Sequence, residues 1–159
     1  SKSRLMEGTS QGVTWHSAAL PEATLYGTLL GASASLIAYP FFVPQEPFLP
    51  YGNVRVLSAK DIAVMKIVAI SQRGRKRDFL DLYWYAQNRE PLIRVMQRLP
   101  VQYPTVAHDY HHVLKSLVYF DDAEEDPVPR LNFKADWNEV KEFFRREVAS
   151  VAKELLNIS

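Results

Sequence analysis

The stretch Leu57-Ser58-Ala59-Lys60-Asp61-Ile62-Ala63-Val64-Met65-Lys66-Ile67-Val68-Ala69-Ile70-Ser71-Gln72-Arg73-Gly74-Arg75-Lys76-Arg77-Asp78-Phe79-Leu80-Asp81 divides this chain into two kinds of sequence. Ser58 with Asp61 three residues on has the form of a capping box and opens a helix that runs to about Gln72 and stops at Gly74. A second helix follows from about Lys76 to Gln87, ahead of Pro91. Upstream the chain reads as strands, and downstream as helices.

Upstream, Thr24, Tyr26, Thr28 and Leu30 alternate with Leu25, Gly27 and Leu29, and residues 32–42 form a second extended run. This predicts a β-hairpin turning near Gly31, with faces apolar enough that the sheet is covered on at least one side. The first twenty residues are weakly patterned, with a short helix around Leu5 and Met6 ending at Gly8. Pro40, Pro44, Pro47 and Pro50 forbid regular structure, and residues 54–57 form a short strand. Downstream, residues 91–99 form a short helix. Residues 105–120 form another, with Val106, Tyr110, Val113, Leu117 and Phe120 on one stripe. Residues 121–129 read as an acidic loop. A last helix starts at Asp136, with Glu139 at the capping-box position and Val140, Phe143, Phe144, Val148, Val151 and Leu155 on its inner face. The fold class is α+β: a β-rich part over residues 1–57 and a helical part over residues 58–159, treated as one compact domain. A hairpin and one short strand make a poor sheet, so more chain upstream or a partner strand is expected to complete it.

Composition narrows the setting. The chain has 159 residues, 47% of them hydrophobic, which suffices for a core. With no cysteine it has no disulfide framework and no thiolate zinc site. The apolar run over residues 29–43 is too short and interrupted to span a membrane as a helix, and the N-terminal residues lack a signal-peptide pattern. The expected setting is the cytoplasm, with no membrane partner. A net charge of +1 carries little information about partners.

Local charge carries more. Lys66 interrupts an apolar helix and shares a side with Ile62, Ala69, Ile70 and Arg73. Two readings stand: a stem covering apolar surface with its ammonium in water, or a positioned cation for a phosphate. Arg73, Arg75, Lys76 and Arg77 form a basic knot where the second helix presents its N-terminal amides, which favours anions. Asp78 and Asp81 share a face there; they can pair with Arg73 or Lys66, hold a divalent metal, or simply make a self-neutralising helix start. His108 and His112 have the i, i+4 spacing that zinc sites use, without a glutamate after the first or an obvious third ligand. No Gly-x-Gly-x-x-Gly, Walker loop or Gly-x-Ser-x-Gly is present. Trp15, Trp84 and Trp137 read as core or edge aromatics.

The string from Leu57 to Ile70, with Arg73-Gly74 and Lys76-Arg77-Asp78-Phe79-Leu80-Asp81-Leu82-Tyr83 behind it, resembles the AbiEii family of nucleotidyltransferases, the toxin components of AbiE abortive-infection toxin–antitoxin systems. The later segment Tyr110-His111-His112-Val113-Leu114-Lys115-Ser116-Leu117-Val118-Tyr119-Phe120-Asp121-Asp122-Ala123-Glu124-Glu125-Asp126-Pro127 and the pair Asp136-Trp137 look like the family too. The resemblance implies transfer of a nucleoside monophosphate from a nucleoside triphosphate, with Mg2+, to an RNA or protein acceptor, and an antitoxin-like partner. The family's lysine motif falls on Lys66, with Arg73 downstream, and its aspartate motif falls on Asp78 and Asp81. The implied catalytic residues are Lys66, Asp78 and Asp81; Arg73, Arg75, Lys76 and Arg77 are the substrate-binding candidates. Such enzymes carry an Asp-x-Asp pair upstream that holds the metal ions, and residues 1–51 contain no aspartate. The chain therefore looks like the family's C-terminal portion, expected to be inactive alone. The rival expectation is a non-catalytic module binding an antitoxin-like protein or RNA through residues 73–77.

Overall fold

The computed structural model describes residues 7–10, 13–17 and 24–156. The chain divides into two compact units, Ser1–Pro40 and Phe41–Ser159. Strands precede helices, and the class is α+β.

The first unit holds an antiparallel meander of β1 (Glu7–Ser10), β2 (Val13–Ser17), β3 (Thr24–Leu29) and β4 (Ala32–Ile37), hydrogen-bonded in that order. The hairpin expected around Gly31 is present. Leu29 pairs with Ala32, leaving Leu30 and Gly31 as a two-residue turn. Both have positive φ, 50° and 82°, as a type I′ turn requires to match the strand twist. Two expectations change here. Gly8 ends no helix: it lies in β1, paired with Trp15, while Leu5 and Met6 fall outside the described residues. Glu7-Gly8-Thr9-Ser10 contains no large apolar residue to alternate, so no pattern in the sequence marks β1. Nor is β4, the edge strand, covered: only Ala34 is even partly buried along it.

The second unit opens with a hairpin of β5 (Leu49–Tyr51) and β6 (Val54–Val56), turned at Gly52 with φ of 58°. The prolines thus do not exclude regular structure throughout. Pro50 sits in β5 opposite Arg55, which a two-stranded ribbon tolerates because each strand is an edge whose N–H can face outward. The preceding loop is tied down by Asp61, whose buried carboxylate accepts the N–H of Gln45 (3.0 Å), the N–H of Glu46 (3.2 Å) and the side-chain amide of Gln102 (2.5 Å).

Seven helices follow among the described residues: α1 (Ala59–Arg73), α2 (Lys76–Asn88), α3 (Leu92–Gln97), α4 (Leu99–Gln102), α5 (Tyr110–Ser116), α6 (Asp121–Glu124) and α7 (Trp137–Leu155). Ser58 caps α1, its Oγ accepting the N–H of Asp61 at 3.1 Å. Asp136 caps α7 by accepting from the N–H groups of Asn138 and Glu139. The helix expected over residues 105–120 is only α5, because Asp109 is the N-cap; of the expected stripe, Val113, Leu117 and Phe120 are buried and Val106 is exposed. The acidic loop contains the short helix α6. Gly74 joins α1 to α2, in extended rather than left-handed conformation, with φ of −69°. A Cβ there would stand 2.8 Å from the Phe79 ring, so close packing, not a left-handed cap, calls for glycine. Phe79 is fully buried and touches the rings of Phe120, Phe144 and Trp137 at centroid separations of 5.2, 5.3 and 5.9 Å. This cluster sets α2 on α7 and fixes the start of α2. No described helix is long and apolar enough to cross a membrane.

Candidate functional site

Lys66 lies two turns before the end of α1, and Asp78 lies in the first turn of α2. With only Gly74 and Arg75 between the helices, the chain folds back and brings those turns together. Lys66 Nζ stands 2.7 Å from Asp78 Oδ1 and 2.7 Å from Asp81 Oδ2. The i, i+3 spacing of the two aspartates puts both on the face of α2 that meets α1. The side chains are 21% exposed for Lys66, 9% for Asp78 and 49% for Asp81, so the pair with Asp78 is sheltered and that with Asp81 is open to solvent. Burial alone would lower the Lys66 pKa, but the hydrogen bonds and charges of Asp78 and Asp81 outweigh it and raise the value above the ordinary 10.5. Lys66 is a firmly protonated cation.

The basic knot is not brought together with this triad as a whole. Lys76 is buried: its N–H donates to Asp126 Oδ2 at 2.9 Å, its Nζ donates to the Asp126 carbonyl at 2.6 Å, and Nζ lies 5.3 Å from the Trp137 ring centre. Arg75 pairs with Asp126 Oδ1 at 3.4 Å. The start of α2 is thus already occupied by a carboxylate of this chain. Arg73 and Arg77 are exposed.

His108 and His112 do not share a helical face, because His108 precedes the cap of α5. Their Nε2 atoms lie 3.0 Å from different carbonyls, those of Tyr103 and Ser71. Among the described residues no three or more His, Asp or Glu side chains converge as metal ligands. Asp78 and Asp81 are both engaged by Lys66.

Lys66 and Asp81 form part of the wall of a cleft of about 470 Å³, which continues past Trp84 and Tyr85 to Arg130, Asn132 and Phe133. Tyr85 is held there by donating to Glu90 at 2.8 Å; burial, reinforced by that carboxylate, pushes its pKa up to about 12. The sequence pattern does not connect Arg130 and Phe133 with Lys66. They are more than sixty residues further along the chain in an irregular segment, and no periodicity marks which way that segment folds. Asp126, in sequence only part of an acidic knot, is the partner of Lys76, and no local signal marks that pairing either.

Residues 27–154 match the family model described as the nucleotidyl transferase AbiEii toxin of a type IV toxin–antitoxin system. Among curated proteins, the chain is 37% identical over 119 residues to an uncharacterised protein of Aquifex aeolicus (strain VF5), covering 70% of this chain and 56% of that one. The chain thus spans little more than half the length of that relative. No solved structure matches it significantly.

Proposed function

The chain belongs to the AbiEii nucleotidyltransferase toxin family, and from that premise we propose that it carries the lysine–aspartate part of an enzyme moving a nucleoside monophosphate from a nucleoside triphosphate to an RNA or protein acceptor. The observation that carries the proposal is the Lys66–Asp78–Asp81 triad, of which Lys66 and Asp81 line a nucleotide-sized cleft. A lysine kept protonated by two carboxylates is a preorganised charge for a transferring phosphoryl group, and preorganised charges are the largest source of stabilisation in such reactions. Asp78, the sheltered partner, fixes the ammonium. Asp81, the exposed one, is the partner that yields when a phosphate arrives. Arg73 and Arg77 supply further positive charge for substrate or acceptor, whereas Arg75 and Lys76 have Asp126 as partner.

The magnesium that such transfer uses needs carboxylates beyond these, and the chain is inactive by itself. A protein of antitoxin type is the proposed partner, in keeping with the family's toxin–antitoxin description, and the cytoplasm is the proposed setting. A second reading, a non-catalytic module for RNA or an antitoxin-like protein, draws on the exposed Arg73 and Arg77.

The test is incubation with each labelled nucleoside triphosphate, magnesium and bulk RNA. The chain alone should give no transfer above a no-enzyme control. Joined to a polypeptide supplying an Asp-x-Asp pair, it should transfer, and Lys66→Ala should abolish that transfer. Activity of the chain alone overturns the inactivity, and activity surviving Lys66→Ala removes Lys66 from the chemistry. RNA retention without turnover, lost on Arg73→Ala with Arg77→Ala, favours the second reading.

A further inference from the structure

Lys66 is not a free cation. One ammonium facing two carboxylates at 2.7 Å gives the triad a formal charge of minus one. A phosphate approaching it meets net repulsion unless another positive group takes part. The cleft contains one: Arg130 lines it together with Lys66 and Asp81, is exposed, and makes no ion pair with any described residue. Its guanidinium offsets the net negative charge of the triad, and its planar fork of donors suits a phosphate better than a point ammonium does.

Part of the remaining wall is aromatic. The rings of Trp84 and Phe133 lie 6.4 Å apart, tilted by 47°, and both side chains are half-buried. They give the cleft an apolar lining of the kind on which a flat heterocycle packs. Asn132 beside them carries both an amide donor and a carbonyl acceptor. A cleft with a cation, an aromatic wall and an amide in about 470 Å³ combines the features that recognise a nucleoside phosphate.

We infer that Arg130 is the phosphate-binding cation of this cleft and that Trp84 and Phe133 form the wall against which the nucleobase packs. The inference rests on the nucleotidyl-transfer reading of Lys66 but assigns residues which that reading does not use. Arg130 binds the phosphates first. Asp81, half exposed, then leaves Lys66 more cheaply than the sheltered Asp78 would.

Equilibrium dialysis of the full chain against ATP, adenosine and sodium tripolyphosphate tests this. Arg130→Gln should weaken ATP and tripolyphosphate on the order of tenfold, about 1.4 kcal/mol, and leave adenosine unchanged. Phe133→Leu should weaken ATP and adenosine and leave tripolyphosphate unchanged. Circular dichroism should find both variants folded as the parent. If ATP binding is lost in Lys66→Met but indifferent to both substitutions, the inference falls and the Lys66 reading survives. If the parent chain binds no ATP, the inference falls together with its premise.

Discussion

Lys66 and Asp78, on successive helices, meet at 2.7 Å with the carboxylate only 9% exposed. The contact is therefore both the centre of the candidate site and a clasp between α1 and α2. A substitution at either residue has a structural consequence that must be separated from a functional one.

Lys66→Met leaves the Asp78 carboxylate sheltered and without a partner, which should cost about 1–3 kcal/mol. Adding Asp78→Asn removes the unpaired charge and should recover part of the loss. Urea denaturation of the two single variants and the double variant measures this. Strict additivity of the two single effects would show that the ion pair is not a clasp.

Ser58→Ala should cost on the order of 1 kcal/mol, because it removes the acceptor for the first turn of α1. Asp61→Ala should cost more, since it removes the shorter of two acceptors of the buried Gln102 amide and the acceptor of two backbone donors of the proline loop. Equal denaturation midpoints for the two variants would contradict the role given to Asp61.

Gly74→Ala should destabilise the protein by about 1–3 kcal/mol, because the added methyl meets the ring of the fully buried Phe79. The backbone at Gly74 is one that alanine adopts freely, so the loss should be relieved in Gly74→Ala combined with Phe79→Leu. A Gly74→Ala protein as stable as the parent would rule out the close approach.

Alkali should unfold the protein through Lys66 and Tyr85. Both pKa values are raised in the folded state, Lys66 above 10.5 and Tyr85 from 10.0 to about 12. Each group holds its proton more tightly folded than unfolded, so its contribution is complete below the ordinary value and is lost as pH rises through the folded one. Stability from these groups should be level up to about pH 10 and decline toward pH 12. Thermal melts at stepped pH should show the decline, and Tyr85→Phe should make it shallower. An unchanged alkaline profile in that variant would remove Tyr85 as a contributor.

Some features of the fold are legible in the sequence because local chemistry decides them. Ser58 ahead of an apolar run marks a helix start because its hydroxyl satisfies an amide three residues on. Leu30-Gly31 between alternating runs marks a turn because glycine accepts positive φ. The burial of Val140, Phe143, Phe144, Val148 and Val151 follows from helical period. What the period does not supply is which distant groups meet. Asp61, readable as half of a capping box, turns its carboxylate to Gln45, Glu46 and Gln102 instead. Lys66 could equally face water or any of several acids, until the packing of α1 on α2 gives it Asp78 and Asp81. Lys76 reads as an exposed member of a basic knot and is buried on Asp126, fifty residues along the chain. Arg130 and Phe133 reach the cleft through a segment with no pattern at all. Helix starts and inner faces are decided by neighbours within a turn, which the sequence contains. Pairings across the core are decided by packing many elements at once, and only the tertiary structure makes that choice.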